Sequence, residues 1–191
     1  MKIQILRLII PLSLVFCLLC IPTTGFSYLI VDTGQPPTVR SGASLGDIQS
    51  LAVGLSLNQS HYISAIKGWM YGFGTLSLSL YREASGLPDP NNMLYRTVLD
   101  IPFSDVPGRP TEWKSGENLG WLLGQESYWT AFEVMEFDTF HGAMPNEWLS
   151  EPLNAPTAVN GYPDYVWHEN NPYHGLGFRI EGNIVPIPGA I

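Results

Sequence analysis

The sequence predicts an all-β protein, an antiparallel two-sheet sandwich or jelly roll that follows an N-terminal signal helix. Three observations point there. Short runs of β-branched and aromatic residues recur along the chain, separated by clusters of Gly, Pro, Asn and Asp. Thr75-Leu76-Ser77-Leu78-Ser79-Leu80-Tyr81 alternates with a period of two, which predicts leucines inward and serines outward. Past the first two dozen residues, no segment carries a helical period.

The first 27 residues have the form of a secretory signal. Met1 to Arg7 is a short basic start, Leu8 to Ile21 is apolar, and Gly25-Phe26-Ser27 places small residues where a signal peptidase reads, so cleavage is expected after Ser27. The apolar run is shorter than the roughly 20 residues that a spanning helix needs. Cys17 and Cys20 both lie inside it, preceded by Phe16 and Leu19 rather than by the small residue of a lipidation site. The rest of the chain has no thiol, so its stability must come from a packed core and not from disulfides. Without Lys2 and Arg7, nine basic residues become seven against seventeen acidic ones, and the formal charge moves from −8 to −10. An acidic chain without a basic run has no electrostatic footprint for nucleic acid.

Three parts follow: a signal peptide at 1–27, a β-sandwich domain at 28–182, and the start of a truncated C-terminal sorting motif at 183–191. Tyr28 to Asp32 is the first expected strand, closed by Thr33-Gly34-Gln35-Pro36-Pro37, and Thr38 to Asp47 is expected to be a loop. Leu51 to Leu57 alternates as a half-buried strand, and Asn58 to His61 is a turn. Tyr62 to Tyr71 is a strand that Gly72-Phe73-Gly74 turns into the Thr75–Tyr81 strand. A loop at Gly86 to Asn92 precedes a strand at Met93 to Ile101, and the proline-rich Pro102 to Asn118 is expected to be a long surface loop. Gly120 to Leu123 leads into Tyr128 to Phe137, apolar on both faces, which makes it the expected central strand. The chain from there to Asn171 is rich in Pro, Asn and Gly, and Leu176 to Ile180 is the last strand.

Several motifs invite a chemical reading. Ile30-Val31-Asp32-Thr33-Gly34 has the hydrophobic-Asp-Thr-Gly form of an aspartic protease, which needs a second such Asp, here only from a homodimer. The alternative is ordinary turn chemistry. Gly42-Ala43-Ser44-Leu45-Gly46 matches a nucleophile elbow, but neither a buried strand before it nor a helix after it is expected. Glu136-Phe137-Asp138 at the end of the central strand, with Glu133, offers the paired carboxylates of a jelly-roll glycoside hydrolase; Phe140 and His141 stand where a further glutamate would complete that pattern. No metal-ligand spacing joins His61, His141, His168 and His174, and no cofactor is expected, calcium being the candidate through Asp89, Asn91, Asn92 or Asp164. Asn58-Gln59-Ser60 has the form of a glycosylation acceptor. Trp113, Trp121, Trp148, Trp167 and Tyr165 fall in or beside expected loops, where flat rings can stack on sugars. Core packing over the sheet ends is the competing role for each of them.

Val185-Pro186-Ile187-Pro188-Gly189-Ala190-Ile191 resembles the start of the PEP-CTERM sorting signal in its Val-Pro-Ile-Pro-Gly-Ala variant. In that family the motif precedes an apolar helix and a basic cluster, and an exosortase system processes the protein on its way to the envelope or extracellular matrix. Gln49 to Gly54, Ile63 to Met70, Leu80-Tyr81, Gly86-Leu87-Pro88 and Ser127 to Glu133 are similar to the choice-of-anchor β-sandwich domains that often carry such signals. The resemblance implies a secreted bacterial surface or matrix β-sandwich of unassigned activity with sorting machinery as a partner, and it brings no catalytic residues; polysaccharide enters as a partner through the loop aromatics. The expected function is therefore non-enzymatic, with carbohydrate contact; a glycoside hydrolase or a dimeric aspartic protease is the competing class.

Overall fold

The computed structural model describes residues 27–36, 42–46, 49–103, 111–148, 156–161, 166–169 and 174–186. These residues form an all-β fold of antiparallel strands, with no helix among them. The expected signal helix and most of the expected sorting motif, Ile187 to Ala190, lie outside the described residues.

The architecture is organised by β4 (His61–Ala84), which joins every major part of the sheet. Its first half pairs with β12 (Phe178–Ile184) and β6 (Glu112–Leu123), and β12 pairs in turn with β1 (Tyr28–Asp32). Its second half pairs with β5 (Leu87–Ile101) and β7 (Ser127–Glu133). From β7 the second layer continues through β3 (Gln49–Ser56) and β9 (Thr157–Gly161) to β10 (Val166–Glu169). Between its halves, Tyr71 to Phe73 pair with β8 (His141–Trp148), which also pairs with β2 (Gly42–Leu45) and β11 (His174–Leu176).

The glycines at 72 and 74 therefore bend a continuous strand instead of ending it. Both have positive φ, 144° and 104°, and a Cβ on Gly74 would strike the backbone of Thr139. A strand bent here leaves one layer and enters the other, so its two inner faces meet across the core. Ile63, Ile66, Phe178 and Ile180 of the first layer close on Leu51, Val53, Leu78, Leu80 and Phe132 of the second, all at most 1% exposed. The rings of Phe132 and Phe178 meet edge to face at 6.3 Å.

The second layer also buries its other face, because it curls. In register across four strands run Ser79, Ala131, Ala52 and Ala158, a row with almost no side-chain bulk. The sheet bends over that row until Trp167 on β10 lies 6.3 Å from Tyr81 on β4. Ser77 and Ser79 consequently face away from the leucines, as the period predicts, yet are fully buried instead of solvated. β7 is an interior strand covered on both faces, but it ends at Glu133, and Glu136 and Phe137 occupy the following turn.

Four segments expected as loop or irregular chain contain strands among the described residues. The Gly86–Asn92 segment turns only at Ser85-Gly86, and β5 runs through Pro88 and Pro90, which is tolerated because β5 pairs only with β4 and so lies at an edge. Most of the expected 102–118 loop that is described belongs to β6, whose Lys114, Glu117 and Asn118 make it too polar to read as a strand. The segment 138–171 contains β8, β9 and β10, and the 38–47 loop contains β2.

Candidate functional site

The outer face of the first layer gathers aromatic and charged side chains from four strands. Trp69 on β4 and Trp113 on β6 are paired in register, their rings 5.4 Å apart and edge to face. The adjacent row carries Ser115, Lys67, Arg179 and Asp32 on β6, β4, β12 and β1. The Arg179 guanidinium lies over the Trp113 ring at 4.2 Å from its centroid, close enough for a cation–π contact. Its Nε is 3.1 Å from Asp32 Oδ1, an ion pair without the alignment of a hydrogen bond. Lys67 Nζ donates to Glu181 Oε1 at 2.6 Å. Trp69, Trp113, Lys67, Arg179 and Glu181 are all half-buried, so each keeps part of its surface open to solvent.

The Asp-Thr-Gly motif ends this face and closes a turn. Asp32 Oδ1 accepts from Gly34 N–H at 2.8 Å, Thr33 Oγ1 donates to the Leu176 carbonyl at 2.6 Å, and Phe178 N–H donates to Thr33 Oγ1 at 2.8 Å. Burial pushes the Asp32 carboxyl up, but Arg179 and the Gly34 N–H outweigh it, and its pKa lies below the ordinary value.

A second polar cluster lies on the curled face of the other layer. Glu133 is 6% exposed, and its two carboxylate oxygens accept the Tyr81 hydroxyl at 3.1 and 3.0 Å. Arg96 donates to Ser77 Oγ from Nε at 3.0 Å and from the terminal nitrogen at 2.7 Å, and Ser77 Oγ donates to Asp138 Oδ2 at 2.7 Å. The same Asp138 oxygen accepts Met135 N–H at 3.0 Å and so ties the turn after β7. Burial pushes the Glu133 carboxyl up; Ser79, Tyr81 and Arg96 oppose that and Asp138 adds to it, leaving the pKa raised. Burial, then the Glu133 charge, likewise raises the Tyr81 phenol. The Ser79 hydroxyl is close enough to stabilise both charged forms, but it makes no hydrogen bond of ordinary geometry.

Trp113, Trp121, Trp148 and Trp167 all lie on strands rather than in loops. Trp121 is buried and stacks on Tyr95 at 5.2 Å and 8°, and Trp167 is buried against Tyr81, so both rings are covered by the chain itself. Trp148 closes β8, and Tyr165 lies outside the described residues. Of the sorting motif, Val185 and Pro186 are described, with Val185 N–H donating to the Ser60 carbonyl at 2.9 Å. Asp89 accepts Asn91 N–H at 3.0 Å within β5; Asp164 lies outside the described residues, and no group of His, Cys, Asp or Glu that could hold a metal occurs among those described. Among the described residues, no helix is long and apolar enough to cross a membrane.

Trp69, Lys67, Arg179 and Glu181 were not legible as a site because their register unites them, not their sequence. An alternation of aromatic and charged residues along 65–69 and 179–181, facing away from Ile63, Ile66 and Ile180, is the signal that points to them. Compared with protein-family models the chain matches none, and compared with curated proteins it matches none either. Fold and site define the class alone: an all-β protein with a curled antiparallel sheet and an aromatic, charged outer face.

Proposed function

We propose that this chain is an exported surface or matrix β-sandwich that binds carbohydrate on the outer face of its four-stranded layer. The observation that carries the reading is the in-register pair Trp69 and Trp113 flanked by Arg179, Lys67, Glu181 and Asp32. Sugars present apolar C–H faces and a rim of hydroxyls, and this row offers rings for the first and both donors and acceptors for the second. Export is supported by the signal-like residues 1–27, and sorting by an exosortase-type system by Val185 to Ala190.

A glycan array followed by titration of the purified protein with the polysaccharides that respond tests the binding. Trp113→Ala is expected to weaken the best binder about tenfold or more, roughly 1.4 kcal/mol or above. No polysaccharide above background, or binding indifferent to Trp113→Ala and Arg179→Ala together, would remove the reading.

One observation favours a second reading. A buried glutamate with a raised pKa is what a glycosidase uses as its acid, and the Asp138 carboxylate lies near enough to Glu133 to help raise it. That hydrolase would release reducing sugar, and Glu133→Gln would abolish the release.

A further inference from the structure

At the end of the sandwich away from the Gly72–Gly74 bend, the start of β1 and the β3–β4 turn enclose an open pocket of about 350 Å³. Its floor includes Ile30 and Leu57, and its polar groups come from Tyr28, Asn58, Gln59 and His61. None of the described lining side chains is a carboxylate, a lysine or an arginine.

The hydrogen bonds fix what the pocket offers. His61 is buried, with Nδ1 2.8 Å from the Gln59 carbonyl and Nε2 2.7 Å from the Tyr28 hydroxyl. A carbonyl only accepts, so Nδ1 carries the proton, and in the neutral ring Nε2 must accept the Tyr28 O–H. The Tyr28 oxygen has then spent its proton on His61 and can meet a ligand only as an acceptor. The Asn58 amide brings both a donor and an acceptor. Pairing with Gly182 and the bond to His61 hold Tyr28 in place before any ligand arrives.

We infer that this pocket binds a neutral, polyhydroxylated ring, a monosaccharide or the terminal sugar of a chain. The volume lies at the lower end of small-molecule sites, about 300–1,000 Å³, and suits a single ring. Ile30, Leu57 and the Tyr28 ring meet its C–H face, while its hydroxyls donate to the Tyr28 oxygen and exchange hydrogen bonds with Asn58. In the full chain, where the Tyr28 nitrogen is an uncharged peptide amide, an anionic or cationic ligand would have to shed water without a counter-charge to meet it, which is costly. The site is separate from the Trp69 and Trp113 face, so either can exist without the other.

The test is calorimetric titration of the purified full chain with methyl glucoside, galactoside and mannoside, with glucuronate and glucosamine as charged controls. At least one neutral glycoside is expected to saturate. Tyr28→Phe, which keeps the ring and removes the accepting oxygen, is expected to weaken it about tenfold or more, while Trp113→Ala changes it by less than about twofold. Asn58→Ala, on the exposed turn, is expected to weaken it as well and keeps the test alive should Tyr28→Phe disturb folding. The tetrasaccharide of the responding sugar tells a free sugar from a chain end: tighter binding than the methyl glycoside supports a chain-end site, and equal binding a free sugar. The inference is overturned if no neutral glycoside saturates, if saturation ignores both pocket variants, or if a charged control binds more tightly than every neutral one. Polysaccharide binding that depends on Trp113 but not on Tyr28 would overturn the pocket and leave the sheet face intact.

Discussion

Gly68 on the first layer and Phe132 on the second face each other across the core, and a single methyl group tests whether they do. A Cβ on Gly68 would lie 2.9 Å from Phe132 Cζ and 3.2 Å from Cε1, closer than real Cβ atoms pack, with the Met70 methyl also in its way. The methionine terminus can swing aside, but Phe132 is fully buried and cannot. Gly68→Ala is therefore expected to cost about 1–3 kcal/mol, the usual range for overpacking. With a urea slope of about 2 kcal/mol/M, the midpoint falls by roughly 0.5–1.5 M. Phe132→Leu alone also destabilises, because it leaves a void. Together the two should cost less than the sum of each, with a coupling of about 1 kcal/mol, because the shortened ring vacates the space that the new methyl needs. Urea unfolding of the four proteins in the cycle measures this. Costs that add within about 0.5 kcal/mol would refute the facing of the two layers at this point.

Other expectations concern the charged and strained groups. Glu133 has a folded pKa above the unfolded value of 4.5, so its stabilising contribution is full below that value and is lost as pH rises through the folded pKa. Wild-type stability measured relative to Glu133→Gln by urea unfolding should accordingly fall from pH 4.5 towards neutrality; a flat difference would count against burial as the cause. Asp32 behaves in the opposite sense: its contribution is present above 3.8 and disappears as pH falls through the lower folded value. Because the Asp32–Arg179 pair is part-exposed, Asp32→Asn should cost no more than about 1 kcal/mol at neutral pH, seen as a small drop in Tm. Phe137 is 89% exposed at a φ of 75°, so Phe137→Gly should stabilise by about 0.5–1 kcal/mol in the same unfolding assay.

The strand content was legible where side chains alternate and illegible where the backbone carries the information. Leu76, Leu78 and Leu80 announce the second half of β4, and Tyr128 to Glu133 announces an interior strand. Gly72 and Gly74 carry the same local signal whether a chain reverses or merely bends, so the continuity of β4 could not be read from them. Lys114 to Asn118 looks like a loop because an outward-facing edge strand has no apolar alternation to show. The site suffered more. Trp113 stands out by residue type, but its partners Trp69 and Arg179 reach it only through register, and Tyr28 meets His61 across 33 positions of sequence. The acids were misplaced for a related reason: Glu136 and Asp138 sit two apart, as if on one face of a strand continuing past Glu133, whereas β7 stops at Glu133 and the turn carries Glu136 out to solvent.

Because β4 belongs to both layers, neither can melt and leave the other standing. Loss of the His61–Met70 half would strip β6 and β12 of their shared neighbour, and the same covalent segment would then pull on β5 and β7. Heat or denaturant should meet one cooperative event, with near-ultraviolet signals from Trp113 in one layer and Trp129 in the other disappearing together. It also makes assembly slow, on the order of milliseconds to seconds, since partners far apart in sequence must find a single spine before any half of the protein gains a foothold.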